Sequence, residues 1–383
     1  MAQREIKIRD KEFKETGNDN RFEILEINGR FENPFKEYRP QTLYEFFIMR
    51  LIELSEFGPR GGIPNFENLR IKELNWVKSN INDIIKLKEI CKEKKLIAYT
   101  WLGQSCALFQ SNDKIFLLDP LFENSIVNEK FGPKRIVPVP ISINEIVKEI
   151  KPDYILVSHD HPDHLGDKST IELSKLNLSK WIVPIGIKKF LNENGILNEN
   201  IIEMKWWERK RIDKEFEIVC LPTMHWSGRI LIDSNKSLWC SFLIIKNNKS
   251  LFYHGGDTGY SKDLFKKIGL LYGPIKFGAL PIGQYCPEWH QKPRHISPLE
   301  SIKIMNEMKI HKIVGVHWGT FILSSENYLE PGKLLNKEAK NLNLINNIIV
   351  PNQGKILIMN EDKIDFEKDD EIEFEDDFKI IYK

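Results

Sequence analysis

The sequence predicts an α/β fold in which mixed sheets pack face to face with helices outside. Two observations carry this. From Leu96 onward the chain breaks into short apolar runs separated by turn residues, the pattern of buried strands. Between residues 142 and 316 those runs alternate with segments of helical period. A hairpin early in the series means that the sheets cannot be purely parallel.

The elements follow in order. Leu43 to Glu56 presents a broad apolar helical face, and Gly58-Pro59-Arg60-Gly61-Gly62-Ile63-Pro64 breaks it. Ser111-Asn112-Asp113 reads as the turn between strands at Ala107–Gln110 and Lys114–Leu118. Ser142–Ile150 is expected to be helical, Tyr154–Val157 a strand, Thr170–Leu176 a helix and Trp181–Val183 a strand. Lys188–Asn194 reads as a helix closed by Gly195. Phe216–Cys220, Leu238–Ile245, Leu251–His254, Phe277–Pro281 and Lys312–Val316 read as strands. Pro298–Met308 reads as a helix with Ser297 as its N-cap.

Composition narrows the function classes. At 383 residues the chain can bury a large core. A formal net charge of +1, with no Arg-rich face interleaved with aromatics, argues against a nucleic-acid surface. The five cysteines, Cys91, Cys106, Cys220, Cys240 and Cys286, are odd in number and form no CxxC pair. They read as buried free thiols in a reducing, cytoplasmic compartment. Met1 to Lys14 is polar and does not read as a secretory signal. No run of about 18 apolar residues occurs, which excludes an ordinary transmembrane helix and leaves peripheral association with a membrane surface open.

The most informative stretch is Ser158-His159-Asp160-His161-Pro162-Asp163-His164, directly after the apolar run Tyr154–Val157. Imidazole and carboxylate are the ligands that zinc and its neighbours select, so metal-dependent hydrolysis is the first hypothesis. His159 and His161 can point to one centre, Asp163 and His164 to a second. Two closely spaced metals need ligands from elsewhere, and candidates stand at the ends of later strands. They are His225 in Pro-Thr-Met-His-Trp, Asp257 in His-Gly-Gly-Asp-Thr-Gly and His317 in Gly-Val-His-Trp-Gly.

This pattern, His-x-His-x-Asp-His followed by a distant His, Asp and His, resembles the metallo-β-lactamase superfamily. Trp101-Leu102-Gly103-Gln104-Ser105, Asp119-Pro120-Leu121-Phe122, Gly132-Pro133-Lys134-Arg135 and Trp206-Trp207-Glu208 are similar to one branch of it. So are Gly256-Asp257-Thr258-Gly259-Tyr260 and Pro281-Ile282-Gly283. The same holds for His317-Trp318-Gly319-Thr320-Phe321, with Tyr328-Leu329-Glu330-Pro331 after it, and for Gly29-Arg30-Phe31-x-Asn33-Pro34. That branch is the N-acylphosphatidylethanolamine-hydrolysing phospholipase D family. The resemblance covers residues 29 to 360.

It implies an αβ/βα sandwich of two mixed sheets with an N-terminal helical extension. It implies a zinc held by His159, His161 and His225, a second by Asp163, His164 and His317, and Asp257 bridging; iron or manganese fits the same cage. His295 matches a histidine near the centre that is not a ligand and that contacts phosphate or transfers a proton. The implied reaction is hydrolysis of an N-acylphosphatidylethanolamine-type phospholipid to N-acylethanolamine and phosphatidic acid, with Asp163, Asp257 and His295 in catalytic roles. Pro162 stands where relatives carry an aromatic, and Arg294 where they carry a neutral polar residue. Expected partners are the phospholipid and a membrane surface, with a homodimer allowed and no nucleic acid. Leu43–Leu54 reads as a helix packed on the sandwich or as the lining of a lipid groove, and Trp206 and Trp207 as packed against the core or placed at a lipid interface. Other readings are hydrolysis of another phosphodiester or of a lactone, and a metal-binding scaffold without activity. The chain divides into a loose segment at 1–28, an extension at 29–95, the main domain at 96–360 and an acidic tail at 361–383.

Overall fold

A computed structural model describes residues 1–17, 19–40, 42, 44–45, 64–127, 132–230, 232–362 and 364. Most of the expected helix at Leu43–Glu56, the break at 58–63 and the acidic tail lie outside the described residues.

Two seven-stranded sheets form the body. In the first, strands β3 (Leu96–Gly103), β4 (Cys106–Ser111) and β5 (Lys114–Leu118) run antiparallel. They are joined in parallel to β6 (Tyr154–Leu156), β7 (Lys180–Pro184) and β8 (Ile201–Met204). In the second, β9 (Arg209–Arg211), β10 (Phe216–Leu221), β11 (Ser241–Lys246) and β12 (Lys249–His254) are antiparallel. They continue in parallel into β13 (Ile275–Pro281), β14 (Ile310–Val316) and β15 (Ile348–Ile349). The last strand, β16 (Ile356–Asn360), returns to pair antiparallel with β3. A small hairpin, β1 (Leu25–Ile27) with β2 (Arg30–Glu32), precedes both sheets.

Each sheet therefore has an antiparallel half made of hairpins and a parallel half made of strand-helix crossovers. The hairpin at Asn112 forms as expected, with that residue in the left-handed region at φ 54°. The crossovers use Asp167–Leu173 and Lys188–Glu193 in the first sheet and Lys262–Tyr272, Pro298–Glu307 and Glu330–Asn341 in the second. Ser297 caps Pro298–Glu307 with a reciprocal Ser-Glu hydrogen-bond pair to Glu300. Ser142 does the same through Glu145, but only Ile143–Glu145 is α-helical before a wider turn through Ile150. The segment read as a strand from Leu238 begins its ladder only at Ser241. The helix expected over Thr170–Leu176 lies three residues earlier. Residues 1–28, expected to be loose, include the helix Ala2–Thr16.

Strands whose every side chain is buried cannot alternate polar and apolar positions, and β3, β4, β10, β11 and β14 are of this kind. Between the two sheets lies an aromatic cluster. Phe109 stacks on Phe252 with centroids 4.3 Å apart, and Tyr99 meets Phe252 at 5.9 Å and Phe277 at 5.5 Å. The five cysteines form no disulfide, and Cys91, Cys106, Cys220 and Cys240 are buried. Of the two readings for Trp206 and Trp207, the structure shows packing against the core, with Trp206 buried in it and Trp207 half-buried against it. The Trp206 indole donates to the Trp239 carbonyl at 2.6 Å, and that of Trp207 to the Phe22 carbonyl at 3.0 Å.

Phe252→Ala removes a ring held between the sheets. It should lower stability by about 3–5 kcal/mol, read as a lower urea midpoint with unchanged slope.

Candidate metal centre

The carboxyl ends of the central strands meet at one edge of the sandwich, where open α/β sheets bind their ligands. After β6 the chain turns sharply, with the His164 and Leu165 amides both donating to the His161 carbonyl at 2.9 Å. That turn throws His159, His161, Asp163 and His164 to the same side. His225 follows β10, Asp257 follows β12 and His317 follows β14. Gly256 sits at φ 56°, and a Cβ there would lie 2.6 Å from the Ser158 Cβ, so a glycine is required for Asp257 to be presented.

All seven expected ligands converge. His159 Nε2 and His225 Nε2 lie 2.8 and 3.2 Å from His161 Nδ1. His164 Nε2 and His317 Nε2 lie 3.3 Å apart, 3.6 and 3.5 Å from Asp163 Oδ2. Asp257 stands between the two groups. One of its oxygens is 3.2 Å from His164 Nε2 and 3.6 Å from His225 Nε2, and the other is 3.1 Å from His317 Nε2. Two groups of three or more donors, each with its ligand atoms within 4.8 Å of one another, result. His295 joins them: its Nδ1 is 3.8 Å from the same Asp257 oxygen, and with His225 and Asp257 it forms a third such group.

The chemistry of this donor set fits cations. The outward nitrogens of three of the rings are tied to groups placed to accept. His164 Nδ1 meets Asp119 Oδ2 at 2.8 Å and His225 Nδ1 meets the Arg294 carbonyl at 2.9 Å. His159 Nδ1 meets Ser158 Oγ at 2.9 Å, and that hydroxyl spends its own proton on Asp119 at 2.8 Å. When His159, His164 and His225 are neutral, the proton therefore sits outward and the Nε2 lone pair faces the cage. Lone pairs and carboxylates at such distances repel unless positive charge lies between them.

The titration tendencies make the same demand. Burial pushes His161 down to about 4 and His225 to about 3, which keeps both as neutral ligands. Burial also opposes charging His317, yet Asp257 and Asp163 hold it up at about 9. Burial likewise opposes charging His164, and Asp257, Asp163 and Asp119 hold it well above the ordinary imidazole range. Protons on these rings supply the positive charge that bound metal would supply instead.

Sequence reasoning missed the groups that hold the ligands. Asp119, wholly buried, accepts from the Ser158 amide at 2.7 Å and approaches His254 Nε2 at 2.9 Å as well as His164. Its signals were an Asp-Pro step directly after a predicted strand and its place in the family-like motif Asp119-Pro120-Leu121-Phe122, neither of which named its partners. Asn33, in the N-terminal segment, donates to the His225 carbonyl at 2.6 Å. The aspartate between the first two histidines, Asp160, points away. It accepts from the Gly228 amide at 2.7 Å and the Ser237 hydroxyl at 2.6 Å. Arg294 is buried and donates to the His290 carbonyl. Asp119→Asn should leave the chain folded and weaken metal binding about 10–100-fold, as measured by competition with a chromophoric chelator.

Comparisons with known proteins agree with this geometry. A sequence model described as the beta-lactamase superfamily domain matches residues 114–318. The chain is 44% identical over 345 residues to the mitochondrial N-acyl-phosphatidylethanolamine-hydrolyzing phospholipase D of Saccharomyces cerevisiae, covering 82% of this chain and 72% of that protein. It is 33% identical over 296 residues to N-acyl-phosphatidylethanolamine-hydrolyzing phospholipase D 1 of Caenorhabditis elegans, covering 72% of this chain and 82% of that one. Among solved structures, the metallo hydrolase Igni18 of Ignicoccus hospitalis shares the fold with a TM-score of 0.52 at 19% identity, over 69% of this chain and 98% of that one. The isothiocyanate hydrolase from Delia radicum gut bacteria does so at 0.53 and 14% identity, over 68% of this chain and 98% of that one. With this sandwich and this run of strand-end histidines and aspartates, the chain belongs to the N-acylphosphatidylethanolamine-hydrolysing phospholipase D family of the metallo-β-lactamase superfamily.

Proposed function

We propose that the chain hydrolyses N-acylphosphatidylethanolamine-type phospholipids to an N-acylethanolamine and phosphatidic acid. Two zinc ions would be held by His159, His161 and His225 and by Asp163, His164 and His317, with Asp257 shared. The observation that carries the reading is the position of Asp257, with oxygens 3.1–3.6 Å from nitrogens of both groups. The family's activity supports the substrate class, and the nitrogen-rich donor set favours zinc over manganese.

When bound, the metal pair supplies Lewis acidity toward phosphoryl oxygens and water that ionises near neutral pH. Water contributes the new bond to phosphorus, and the bond from phosphorus to the ethanolamine oxygen breaks with its electron pair on that oxygen. One water proton must end on the released alcohol. Asp163 and Asp257 face the cage and orient the attacking water. His295, kept neutral by burial and 3.8 Å from Asp257, can take that proton and pass it to the leaving oxygen.

A diacyl substrate reaches this edge from a membrane surface. Among the described residues no helix is long and apolar enough to cross a membrane. Beside the cage, however, the loop tied to Asp160 carries Ile230 at 60% and Ile232 at 72% exposure. Apolar tips next to a lipid-hydrolysing site suit shallow insertion into the headgroup region, and the enzyme then works as a peripheral protein.

Purified protein with zinc should convert N-acylphosphatidylethanolamine vesicles to the two products, identified by mass spectrometry. Turnover of a lactone or of bis-p-nitrophenyl phosphate alone would overturn the substrate class. Asp257→Asn and His161→Ala should each lose at least 10³-fold in kcat, on the order of removing a metal-held nucleophile. Full activity in Asp257→Asn would end its shared role. Replacing Ile230 and Ile232 together by Ser should lower activity on vesicles several-fold while leaving a short-chain soluble diester unaffected.

A further inference from the structure

Gln104 is the one described side chain with an uncharged amide on this cage. It lies in the turn between β3 and β4, 1% exposed, with its backbone in the left-handed region at φ 52°. A glutamine in that conformation is held there by its surroundings. Its amide nitrogen donates to Thr320 Oγ1 at 2.7 Å, and its carbonyl accepts from the Trp101 indole at 2.7 Å and the His317 amide at 3.0 Å. Backbone and side chain thus both engage His317.

The side-chain amide has two N–H groups. Nε2 stands 2.9 Å from Asp163 Oδ2 and 2.8 Å from His317 Nε2. The carboxylate can only accept, which places the nitrogen, and not the carbonyl oxygen, on this side of the amide. The second N–H is aimed at the ring nitrogen that faces the cage. A nitrogen whose lone pair is given to a cation no longer accepts a hydrogen bond. With metal bound, this N–H therefore has no acceptor on that ring while remaining within about 3 Å of the ring nitrogen. A buried donor left in that state costs free energy unless a new acceptor arrives. The group that enters there during the proposed reaction is the phosphate, which carries an unesterified oxygen that gains negative charge as water adds.

We infer that Gln104 is a catalytic hydrogen-bond donor, its Nε2–H contacting a non-bridging phosphoryl oxygen of the substrate while its other N–H holds Asp163. The inference rests on the phosphodiesterase reading and names a contact within that site. The geometry suits a preorganised, uncharged donor beside developing charge, a role whose removal typically lowers kcat by 10²–10³.

The test uses the zinc-loaded full chain and the substitution Gln104→Met, which keeps length and removes both donors. Metal content per chain and melting temperature should match the parent. On N-acylphosphatidylethanolamine, kcat should fall about 100-fold with KM within about twofold. The two phosphorothioate diastereomers of the same lipid separate donation from positioning. The parent should discriminate between them, because sulfur is a poor acceptor for Nε2–H, and Gln104→Met should lose much of that discrimination. Unchanged discrimination would show that the amide acts through Asp163 alone, loss of metal that it only maintains the cage, and kcat within threefold of the parent that it does neither; each overturns the inference. If the parent itself leaves the lipid intact, the substrate reading has failed, and the same kcat and metal comparison is made with bis-p-nitrophenyl phosphate.

Discussion

Three carboxylates, Asp119, Asp163 and Asp257, converge on one histidine, His164, and two of the three are wholly or almost wholly buried. Negative charge gathered like this in a region of low dielectric cannot persist without compensation. Among the described residues no lysine or arginine is paired with these three carboxylates, and Arg229, on the neighbouring loop, is committed to the Asp160 and Leu165 carbonyls at 2.8 Å. What faces the carboxylates is a set of imidazole rings whose protons are drawn outward by Asp119, Ser158 and the Arg294 carbonyl. The carboxylates are balanced by protons held on His164 and His317, or by a cation in their stead. A cation site follows from this electrostatic arrangement as directly as from the identity of the ligands.

Holding that arrangement strains the backbone where the ligands are presented. Gln104, Asp119 and His317 are non-glycine residues with φ of 52°, 40° and 64°, each in a region that costs on the order of 1–3 kcal/mol for such residues. Their hydrogen bonds explain how they stay there. The His317 amide donates to the Gln104 carbonyl. Thr320, two residues beyond the turn at Trp318, receives the Gln104 amide and also the Gln353 side chain at 3.2 Å. The Asp119 amide donates to the Leu156 carbonyl at 2.9 Å, locking the end of β5 to the end of β6. Strain is thus distributed over strand ends from both sheets. The aromatic cluster that clamps the sheets together also keeps the cage in shape.

How much of this could be read in the sequence depends on whether the signal was local. The metal loop was legible because one tight turn after one strand contains four of the seven ligands. His225, Asp257 and His317 were legible because each follows an apolar run and is flanked by small, turn or aromatic residues. The supporting groups were not. Asp119 acts across 45 positions on His164 and across 135 on His254, and nothing in its neighbours in sequence reports those distances. Gln104 stood only as part of the motif Trp101–Ser105, with no role of its own, since its partners Asp163, His317 and Thr320 come from two other loops. In the fold, fully buried strands were found but their ends were misplaced. Periodicity cannot mark where a ladder stops when both faces are apolar, so Leu238–Cys240 looked like strand although pairing starts at Ser241. The helix Ala2–Thr16 was hidden by its own polarity, as Ile6 alone is buried along it.

Asp160 shows why the spacing of the metal loop is more than a way of counting ligands. In a tight turn, His159 and His161 can face one centre only if the residue between them faces elsewhere. That residue is a buried carboxylate, and it is satisfied by Gly228 and Ser237 from the loop between β10 and β11. The same loop contains Trp226, whose indole packs edge-on against the His161 ring at 4.2 Å, and it carries the exposed Ile230 and Ile232. Metal loop and apolar loop are therefore joined through Asp160 and through His161. Under the phospholipase reading, this coupling has a mechanical meaning. If the enzyme binds membranes as proposed, insertion of these side chains would set the depth of the bilayer relative to the protein, and the hydrogen bonds to Asp160 would relay that depth to the cage. A phosphate at the headgroup level would then meet the cage at a set height, so that the membrane surface and the fold together would orient the scissile bond.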